Sequence, residues 1–326
     1  MSDFPNQLPA GFSWVERFVR YEHNPILRPQ GKGFAADLIF NPGAIVKDDT
    51  VMLLCRGVDF SRQPSSNLNW SVSSLGWARS KDGFNFTLDS EPIPEFSIGS
   101  DSPYQGGFED PRLVKIGDEY VLTCSGTKDC KNVPGIAAFS RDLESWDVAG
   151  EILPGRAIAI IDRKINGKYY AYFDNSDIKL AVSDDLRRWE VLDKPALSPR
   201  PGMFDEQLCE AAAPPVVTED GILLLYNGAC NPPMAYDYSR KLLPGYWASP
   251  DFVYSTGWAL FDLNDPAKLI ARSSEPFIAP EKLYELVGMS NFALFSQGLV
   301  KFNGKYILYY GCADARIACA YSETDK

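Results

Sequence analysis

The chain has 326 residues, of which 45% are hydrophobic and 23% charged, so a packed globular protein is expected and a disordered one is not. Acidic residues outnumber basic ones by 43 to 32, and the net charge of −11 argues against a protein that binds nucleic acid or an anionic membrane. No apolar segment has the length of a signal peptide core or a membrane-spanning helix, which predicts a cytoplasmic protein.

Five β-hairpins are predicted in chain order, each formed by two apolar strands around a short turn. Asn-Gly and Asp-Gly pairs between apolar segments favour hairpins because both residues tolerate a positive φ. The third and fifth hairpins carry Asn-Gly, and the fourth carries Asp-Gly. The predicted turns lie at residues 47–50, 117–118, 166–167, 219–221 and 303–304. The repetition indicates one structural unit that is used five times.

A second repeated segment follows each of the first three hairpins. It begins with serine, has aspartate at its third position and ends in an aromatic residue. We expect the serine and aspartate to accept hydrogen bonds from the amides of the turn, with the aromatic ring folded back onto the sheet. The three copies are SKDGFNF at 80–86, SRDLESW at 140–146 and SDDLRRW at 183–189.

The repeats predict an all-β fold, a five-bladed β-propeller with an axial active-site pocket. A β-sandwich whose hairpins have a similar composition is the alternative that periodicity leaves open. Since a propeller closes only when every blade is present, residues 1–326 are expected to form a single domain. Residues 1–20 would be an N-terminal extension that packs on or near the propeller. Polar loops are expected at residues 63–73, 91–107 and 231–250.

Two residue types restrict the chemistry. His23 is the only histidine, so a histidine-rich zinc site is excluded. Its turn-like neighbours favour a structural or surface residue over a catalytic base. The seven cysteines are odd in number and contain no C-x-x-C pair, which predicts buried free thiols in a reducing compartment and no disulfide framework. No metal or organic cofactor is expected.

The acidic segment GFEDPR at residues 107–112 is the first candidate for the axial pocket. Carboxylates that converge on the axis, beside aromatic walls, suit sugar hydroxyls and the apolar faces of sugar rings. Pro111 disfavours a helical Asp110, which predicts an extended backbone with Glu109 and Asp110 pointing in opposite directions. The alternative interpretation is a loop with a local ion pair.

Other polar residues occupy matching places in the repeat. Glu210 precedes the small apolar segment AAAPP, and burial there would raise its pKa, although an exposed edge position is the alternative. Asp174 follows the third hairpin and Asp314 the fifth, while Asn41 and Arg56 take the corresponding places in the first. Each of them, taken singly, is also compatible with a turn.

Five segments of the chain carry a family resemblance. They are NPIL at 24–27, FNPGA at 40–44, GFEDPR at 107–112, APP at 213–215 and YYGCAD at 309–314. Together they resemble glycoside hydrolase family 130, over about residues 20–323. The resemblance implies a five-bladed propeller, as the hairpins indicate independently. It also implies action on β-linked mannosides, in most members by inverting phosphorolysis and in one branch by hydrolysis of β-1,2-mannosides.

The resemblance assigns roles to individual residues. Asp110 matches the family's general acid, which protonates the glycosidic oxygen through a hydroxyl of the bound mannose. Asn41, Arg56, Arg62 and Asp314 match positions that contact substrate. The full set of substrate-binding candidates is Asn41, Arg56, Arg62, Glu109, Arg112, Asp162, Asp174, Asn227 and Asp314.

Positively charged residues decide between a phosphate and a water acceptor, because phosphate requires Arg, Lys or His donors. Phosphorylases of the family have sequences similar to Lys-x-x-x-Leu-Phe-Pro in blade three and His-Arg in the next strand. At these places this chain has GRAIAIID at 155–162 and AYFD at 171–174. Glu210 stands where phosphorylases tend to have a small residue, and it could deprotonate water. The sequence therefore favours hydrolysis, although Arg156 and Arg163 could still supply positive charge.

The expected function is exo-acting, inverting hydrolysis of β-mannosides, above all β-1,2-linked manno-oligosaccharides. Asp110 would be the general acid and Glu210 the base, with Glu285 the second choice for the base. The expected partner is a manno-oligosaccharide substrate, with no nucleic acid and no membrane, and a homo-oligomer is left open.

Three alternatives remain at this point. The first is a β-mannoside phosphorylase that releases mannose 1-phosphate. The second is a propeller that binds glycans without catalysis. The third is a furanosidase-like five-bladed propeller with Asp37 as its base.

Overall fold

The protein is a five-bladed β-propeller, as predicted. The structure is a computed structural model that describes residues 5–62, 72–97, 102–128, 133–231 and 252–324. The loops predicted at 63–73 and 231–250 lie almost entirely outside the described residues, as do residues 98–101 of the loop predicted at 91–107. Every blade is an antiparallel sheet whose strands follow one another along the chain, with the two ends of the chain combined in the last blade.

The strands run in sequence from the axis outwards in the first four blades. Before them come a 3-10 helix (Ala10–Arg17) and a short strand, β1 (Val19–Arg20). Blade one contains β2 (Leu38–Lys47), β3 (Thr50–Val58), β4 (Ser74–Ser80) and β5 (Thr87–Leu88). Blade two contains β6 (Gly107–Ile116), β7 (Glu119–Thr127), β8 (Gly135–Ser140) and β9 (Asp147–Leu153). Further 3-10 turns occupy Phe60–Arg62 and Pro94–Phe96.

The remaining blades complete the ring. Blade three contains β10 (Ala159–Ile160), β11 (Tyr169–Phe173), β12 (Lys179–Ser183) and β13 (Trp189–Val191). The innermost strand of blade four is split into β14 (Leu208–Ala211) and β15 (Val216–Thr218), followed by β16 (Gly221–Cys230), β17 (Val253–Asp262) and β18 (Asp265–Arg272). Blade five contains β19 (Leu294–Phe302), β20 (Lys305–Cys312) and β21 (Arg316–Glu323), preceded by the short helix α1 (Leu283–Leu286).

The N-terminal strand closes the ring. β1 pairs antiparallel with β21, with Val19 opposite Tyr321, so the outermost strand of blade five comes from the start of the chain. Hydrogen bonds between the two ends of the chain therefore complete the last blade. The preceding 3-10 helix buries Phe12, Trp14 and Val15 in a cluster with residues of blades four and five, which anchors the start of the chain on the propeller.

The local turn chemistry follows the sequence closely. Asn303 and Gly304 both have positive φ, as do the residues of the 166–167 turn, so these Asn-Gly pairs form the predicted hairpins. In the first aromatic turn Ser80 accepts a hydrogen bond from the Gly83 amide, and Asp82 accepts one from the Phe84 amide. The turns at 140–146 and 183–189 repeat the same contacts.

The hydrophobic core lies mainly between neighbouring blades. Residues of β3 and β4 pack on residues of β6 and β7, for example Leu54 and Trp77 on Phe108 and Leu122. The cysteines within the described residues are free, and all but Cys230 are buried. Among the described residues, no helix has the length and apolar character needed to cross a membrane.

Candidate active site

Three of the innermost strands are interrupted by bulges at the same level of the propeller. In β2 the register shifts between Phe40 and Gly43, and in β6 it shifts between Glu109 and Arg112. In β19 the shift falls between Ser296 and Gly298. A bulge adds unpaired residues and redirects side chains, often at functional sites. The extra residues are Asn41 and Pro42, Asp110 and Pro111, and Gln297.

The bulge in β6 changes the predicted direction of the acidic pair. Asp110 has a φ of 52°, in the left-handed region, and not the extended conformation expected before Pro111. The predicted opposite orientation of Glu109 and Asp110 is therefore wrong. Both carboxylates contact the same two guanidinium groups, those of Arg56 and Arg156. Glu109 and Asp110 thus belong to one site.

Asp110 is the most densely bonded carboxylate of this site. Its Oδ1 accepts hydrogen bonds from Asn41 Nδ2 at 2.9 Å and from Arg56 Nη1 at 3.1 Å. Its Oδ2 accepts one from Arg156 Nη2 at 2.6 Å. Burial raises the pKa of Asp110, but the nearby Arg56 and Arg156 outweigh burial and hold that pKa well below its usual range. The carboxylate is therefore ionised while both arginines contact it.

Glu210 approaches Arg156 and a third arginine, Arg112, without a hydrogen bond to any described residue. It is 4% exposed, and its Oε1 lies 3.7 Å from Arg156 Nε and 3.8 Å from Arg112 Nη2. Among the described residues, neither Glu210 Oε1 nor Arg156 Nε has a hydrogen-bond partner. Burial raises the pKa of Glu210 to about 6, against the opposing effects of Arg156 and Arg112. This matches the buried, poorly solvated carboxylate that the AAAPP segment predicted.

Two buried side chains form a floor across the axis below these carboxylates. Arg112 extends from blade two to blade four, where it donates hydrogen bonds to the carbonyls of Ala211 and Ala212. Gln297 extends from blade five and donates to the carbonyls of Asn41 and Pro111. Both residues are at most 2% exposed, and together we call their side chains the axial floor.

Glycines let the inner strands approach closely at this level. A Cβ atom added to Gly43 would lie 2.6 Å from the carbonyl oxygen of Pro111. One added to Gly298 would lie 2.7 Å from Ala44 Cβ. Both distances are too short for any larger residue without a backbone shift. The strands of blades one, two and five therefore meet at the axis beside the axial floor.

The site contains more positive charge than the sequence analysis expected. We call Glu109, Asp110, Glu210, Arg56, Arg112 and Arg156 the acid–arginine cluster; it has three carboxylates and three guanidinium groups. Of the two arginines that the sequence analysis left open as sources of positive charge, Arg156 projects into the site and contacts Asp110 directly. Arg156 is also the most exposed of the arginines, with 24% of its side chain accessible, so the cluster opens to solvent on its side.

Asp314 lies beside the cluster. It has a φ of 48°, and its Oδ2 accepts a hydrogen bond from Ser290 Oγ at 2.6 Å. Burial raises its pKa, while Ser290 and Arg56 act in the opposite direction. The negative charges of Asp110 and Glu109 raise the pKa further. The charges of the cluster therefore affect the pKa of Asp314, although Asp314 forms none of the ion pairs of the cluster.

Asp174 supports the segment that carries Arg156. Its amide donates to the Arg156 carbonyl at 2.7 Å, and Gly155 packs directly against its carboxylate. The carboxylate itself pairs with Lys179 Nζ at 2.9 Å. Asp174 thus contacts the backbone next to Arg156, and these contacts support the segment that carries Arg156.

Asp162 and Arg163 lie at the opposite end of the axis. They pair with each other, with Arg163 Nε 2.7 Å from Asp162 Oδ1. Both line a cavity of about 440 Å³ to which all five blades contribute. Its walls include Ala44–Val46 and Leu113–Lys115, which follow Asn41 and Asp110 along their strands on the far side of the axial floor. The structure does not bring Asp162 or Arg163 to the acid–arginine cluster.

Arg62 and Asn227 also have contacts away from the cluster. Arg62 is half exposed and pairs with Asp59 at 3.1 Å, at the edge of a cavity of about 370 Å³ in blade one. Asn227 is fully buried, where its Oδ1 accepts from Thr256 Oγ1 and from the Ser296 amide, and its Nδ2 donates to the Ser296 carbonyl. Its hydrogen-bonding groups therefore connect blades four and five.

Glu285 is used in closing the ring. Its carboxylate accepts hydrogen bonds from Arg20 Nε at 2.7 Å, from the Tyr310 hydroxyl at 2.9 Å, and from the amides of Glu281 and Lys282. It is fully buried. Because Arg20 lies in β1, this carboxylate ties the N-terminal strand to blade five. All its observed contacts are made away from Asp110.

Asp37 and His23, which the sequence analysis also considered, make local contacts. Asp37 accepts a hydrogen bond from the Phe60 amide, which caps the turn after β3. His23 is 72% exposed beside Glu22. Within the described part of the chain, no three His, Cys, Asp or Glu side chains are grouped so as to hold a metal ion.

Gln297 is the residue of the site that sequence reasoning missed. The only signal is the polar segment SQG at 296–298, which interrupts an otherwise apolar inner strand and indicates a bulge. Arg156 was considered only as an alternative source of charge. Its place in the cluster depends on the fold of the segment before β10, which no local pattern specifies.

Known proteins are similar to this chain over nearly its whole length. A family model described as beta-1,4-mannooligosaccharide phosphorylase, that of glycoside hydrolase family 130, matches residues 13–326. A beta-1,2-mannobiose phosphorylase of Thermoanaerobacter sp. (strain X514) is 33% identical, over 95% of this chain and 98% of its own.

Solved structures agree with the sequence match. A glycosyl hydrolase from Bacteroides ovatus superposes with a TM-score of 0.84 at 29% identity, covering 100% of this chain and 98% of its own. A structure described with family 130 glycoside hydrolases that target beta-1,2 mannosidic linkages in Candida mannan superposes with a TM-score of 0.82 at 29% identity. It covers 98% of this chain and 99% of its own. The chain therefore belongs to glycoside hydrolase family 130.

Proposed function

We propose that the protein is an exo-acting, inverting β-mannosidase that hydrolyses β-1,2-linked manno-oligosaccharides. The observation that carries this proposal is Glu210, a buried carboxylate in the acid–arginine cluster whose Oε1 has no hydrogen-bond partner among the described residues. With its pKa raised to about 6, Glu210 is ionised at neutral pH yet basic enough to take a proton from water. Inversion requires such a base opposite the acid.

Asp110 is the proposed general acid, acting on the glycosidic oxygen through a hydroxyl of the bound mannose. The carboxylate is held ionised as long as Arg56 and Arg156 contact it. To act as an acid it must first take up a proton from solvent, which requires that a sugar hydroxyl replace at least one of these contacts, because its pKa rises when a positive partner is lost. The proposal therefore includes displacement of a guanidinium group, and Arg156, the more exposed of the two, is the one we expect to move.

Charge balance favours water over phosphate as the attacking group. While these contacts are made, each of the three arginines of the cluster contacts at least one of its three carboxylates, so none offers an uncompensated positive charge before Asp110 takes up its proton. A phosphate dianion near Arg156 would also approach Glu210, whose ionised form would repel it. A neutral water molecule meets no such barrier.

Phosphorolysis is the second candidate. It is favoured by Arg156 Nε, a buried donor without a described partner, and by the phosphorylase names of relatives such as the Thermoanaerobacter protein. In that reaction Arg156 would bind phosphate and Glu210 would not act as a base.

The substrate class is supported by the relatives. One relative is a beta-1,2-mannobiose phosphorylase, and one matched structure is described with hydrolases that target beta-1,2 mannosidic linkages. The acid–arginine cluster offers charged hydrogen-bonding groups for sugar hydroxyls, and the axial floor closes one end of the site. A floor on one side suits attack on a terminal sugar.

The test is incubation of the protein with β-1,2-mannobiose in phosphate-free buffer and again with added phosphate. We expect free mannose as the only product, at the same rate in both. Mannose 1-phosphate that forms only with phosphate would replace the proposal with phosphorolysis. Binding of mannobiose without turnover under either condition would indicate a glycan-binding protein.

A further inference from the structure

The conformation of Asp110 is unfavourable in isolation and must be imposed by its surroundings. Asp110 and Asn41 have φ values of 52° and 44°, in the left-handed region, which is uncommon for residues other than glycine although Asn and Asp tolerate it better than most. Each also precedes a proline, and the residue before proline prefers an extended backbone. Such conformations persist only where neighbouring contacts over-determine them, commonly at functional sites.

One side chain contacts the backbone of both bulges. Gln297 Nε2 donates a hydrogen bond to the carbonyl of Asn41 at 3.2 Å and to that of Pro111 at 2.7 Å. Only the nitrogen end of the amide can serve two carbonyl acceptors, so its orientation is fixed by chemistry. Gln297 is fully buried and itself lies in the bulge of β19. It therefore joins the inner strands of blades one, two and five at a single point.

The backbone contacts are completed by a side-chain contact. Asn41 Nδ2 donates to Asp110 Oδ1 at 2.9 Å. A closed circuit results, from Gln297 through the Asn41 residue to Asp110 and back through the Pro111 carbonyl. Displacement of either bulge would break at least one of these three hydrogen bonds. The circuit therefore fixes the Asp110 carboxylate in position and direction.

We propose that Gln297 is a positioning residue for the general acid: its amide holds both bulges in the left-handed conformation that directs Asp110 towards the substrate. This inference rests on the proposed function for its effect on rate, but not for its effect on structure. Gln297 touches no reacting atom in the proposed reaction, and it acts through Asn41 and Asp110. Substitution of Gln297 should mainly lower kcat, because a misdirected acid weakens stabilisation of the transition state more than it weakens ground-state binding.

Two substitutions separate the donor from the size of the side chain. Gln297→Met keeps the length and removes both donors, and we expect kcat to fall about a hundredfold with KM changed less than about threefold. Gln297→Glu keeps the shape, but the ionised carboxylate cannot donate. When protonated it regains one donor. Its kcat relative to wild type should therefore recover partly as the pH is lowered, whereas that of Gln297→Met should not.

Tyr172→Phe is the matched control. The Tyr172 hydroxyl is also buried and also donates to a backbone carbonyl, that of Pro266, at a contact between blades three and four. Its loss should cost stability of the same kind without altering kcat or the pH profile. The comparison removes general destabilisation as the cause of an activity loss.

Crystal structures of the variants give a readout that does not depend on turnover. In Gln297→Met we expect the Asn41 and Asp110 backbones to leave the positive-φ region, and in Tyr172→Phe we expect them to stay. Retention of both conformations in Gln297→Met, or an unchanged kcat after they are lost, would overturn the proposal. If Gln297→Met does not fold, Gln297→Glu at low and high pH gives the same comparison. A wild-type protein inactive on mannosides would refute the proposed function alone, since the crystal structures would still decide the role of Gln297.

Discussion

Replacement of Glu210 by glutamine should lower activity and raise stability at the same time. Glu210 is 4% exposed, and burial raises its pKa from the usual 4.5 to about 6. This rise means that ionising Glu210 in the folded protein costs about 2 kcal/mol more than in the unfolded chain. The glutamine variant keeps the size of the side chain and never takes the charge.

The sign of the stability effect depends on pH. A carboxyl group whose pKa is higher in the folded state contributes its full stability below about pH 4.5, where it is protonated in both states. That contribution disappears as the pH rises through about 6. We therefore expect Glu210→Gln to be more stable than wild type by up to about 2 kcal/mol at pH 7, with little difference at pH 4.5. Urea unfolding at the two pH values measures this.

The activity should change in the opposite direction. Loss of a general base typically costs about 10²- to 10⁴-fold, which is about 3–5 kcal/mol in the barrier. In wild type, hydrolysis of β-1,2-mannobiose should rise with pH as Glu210 ionises around pH 6, and this limb should be absent from the variant. A variant with wild-type hydrolysis, with the same acid limb, or with lower stability at pH 7 would refute this account of Glu210.

Three further substitutions test other parts of the structure. Asp110→Asn should reduce the rate of β-1,2-mannobiose hydrolysis by about 10²- to 10⁴-fold, and reduce the rate much less with an aryl β-mannoside, whose leaving group needs no proton. Equal losses with both substrates would exclude an acid role. Glu285→Gln weakens the buried pair with Arg20 and should lower the free energy of unfolding, measured by urea titration, by about 3 kcal/mol. The kcat should stay near the wild-type value, and a large fall in kcat would restore Glu285 as a candidate base. Gly43→Ala places a Cβ 2.6 Å from the Pro111 carbonyl oxygen, so it should destabilise the protein by about 1–3 kcal/mol, and unchanged thermal unfolding would show that the strands can separate at this level.

Features set by short-range interactions were predictable from the sequence. The Asn-Gly turn at Asn303 forms its hairpin because the two residues themselves accept positive φ. The Ser80 and Asp82 side chains bond amides within three residues of their own positions. Repetition of such local units was sufficient to indicate five blades. The acidic segment at 107–112 made Asp110 a site candidate, and the family resemblance added the expected role of general acid.

Features set by long-range contacts were not predictable. The rule for residues before proline gives an extended Asp110, but Gln297, which is 186 residues from Pro111, bonds the backbone of the same bulge. Arg112 reaches the carbonyl of Ala212, 100 residues away, only because closure of the ring places blade four across the axis. Arg156 enters the cluster for the same kind of reason. In each case the deciding partner is distant in the chain and has no pattern of its own.

The axial floor has a kinetic consequence under the proposed reaction. Arg112 and Gln297 block the route towards the other face of the propeller, so the terminal mannose must enter and leave by the same opening as the rest of the oligosaccharide. The shortened chain lies nearer the opening and has to dissociate first, and the cleaved mannose follows. Each turnover then releases the polymer completely, which makes degradation distributive, and free mannose should compete with the substrate for the empty site.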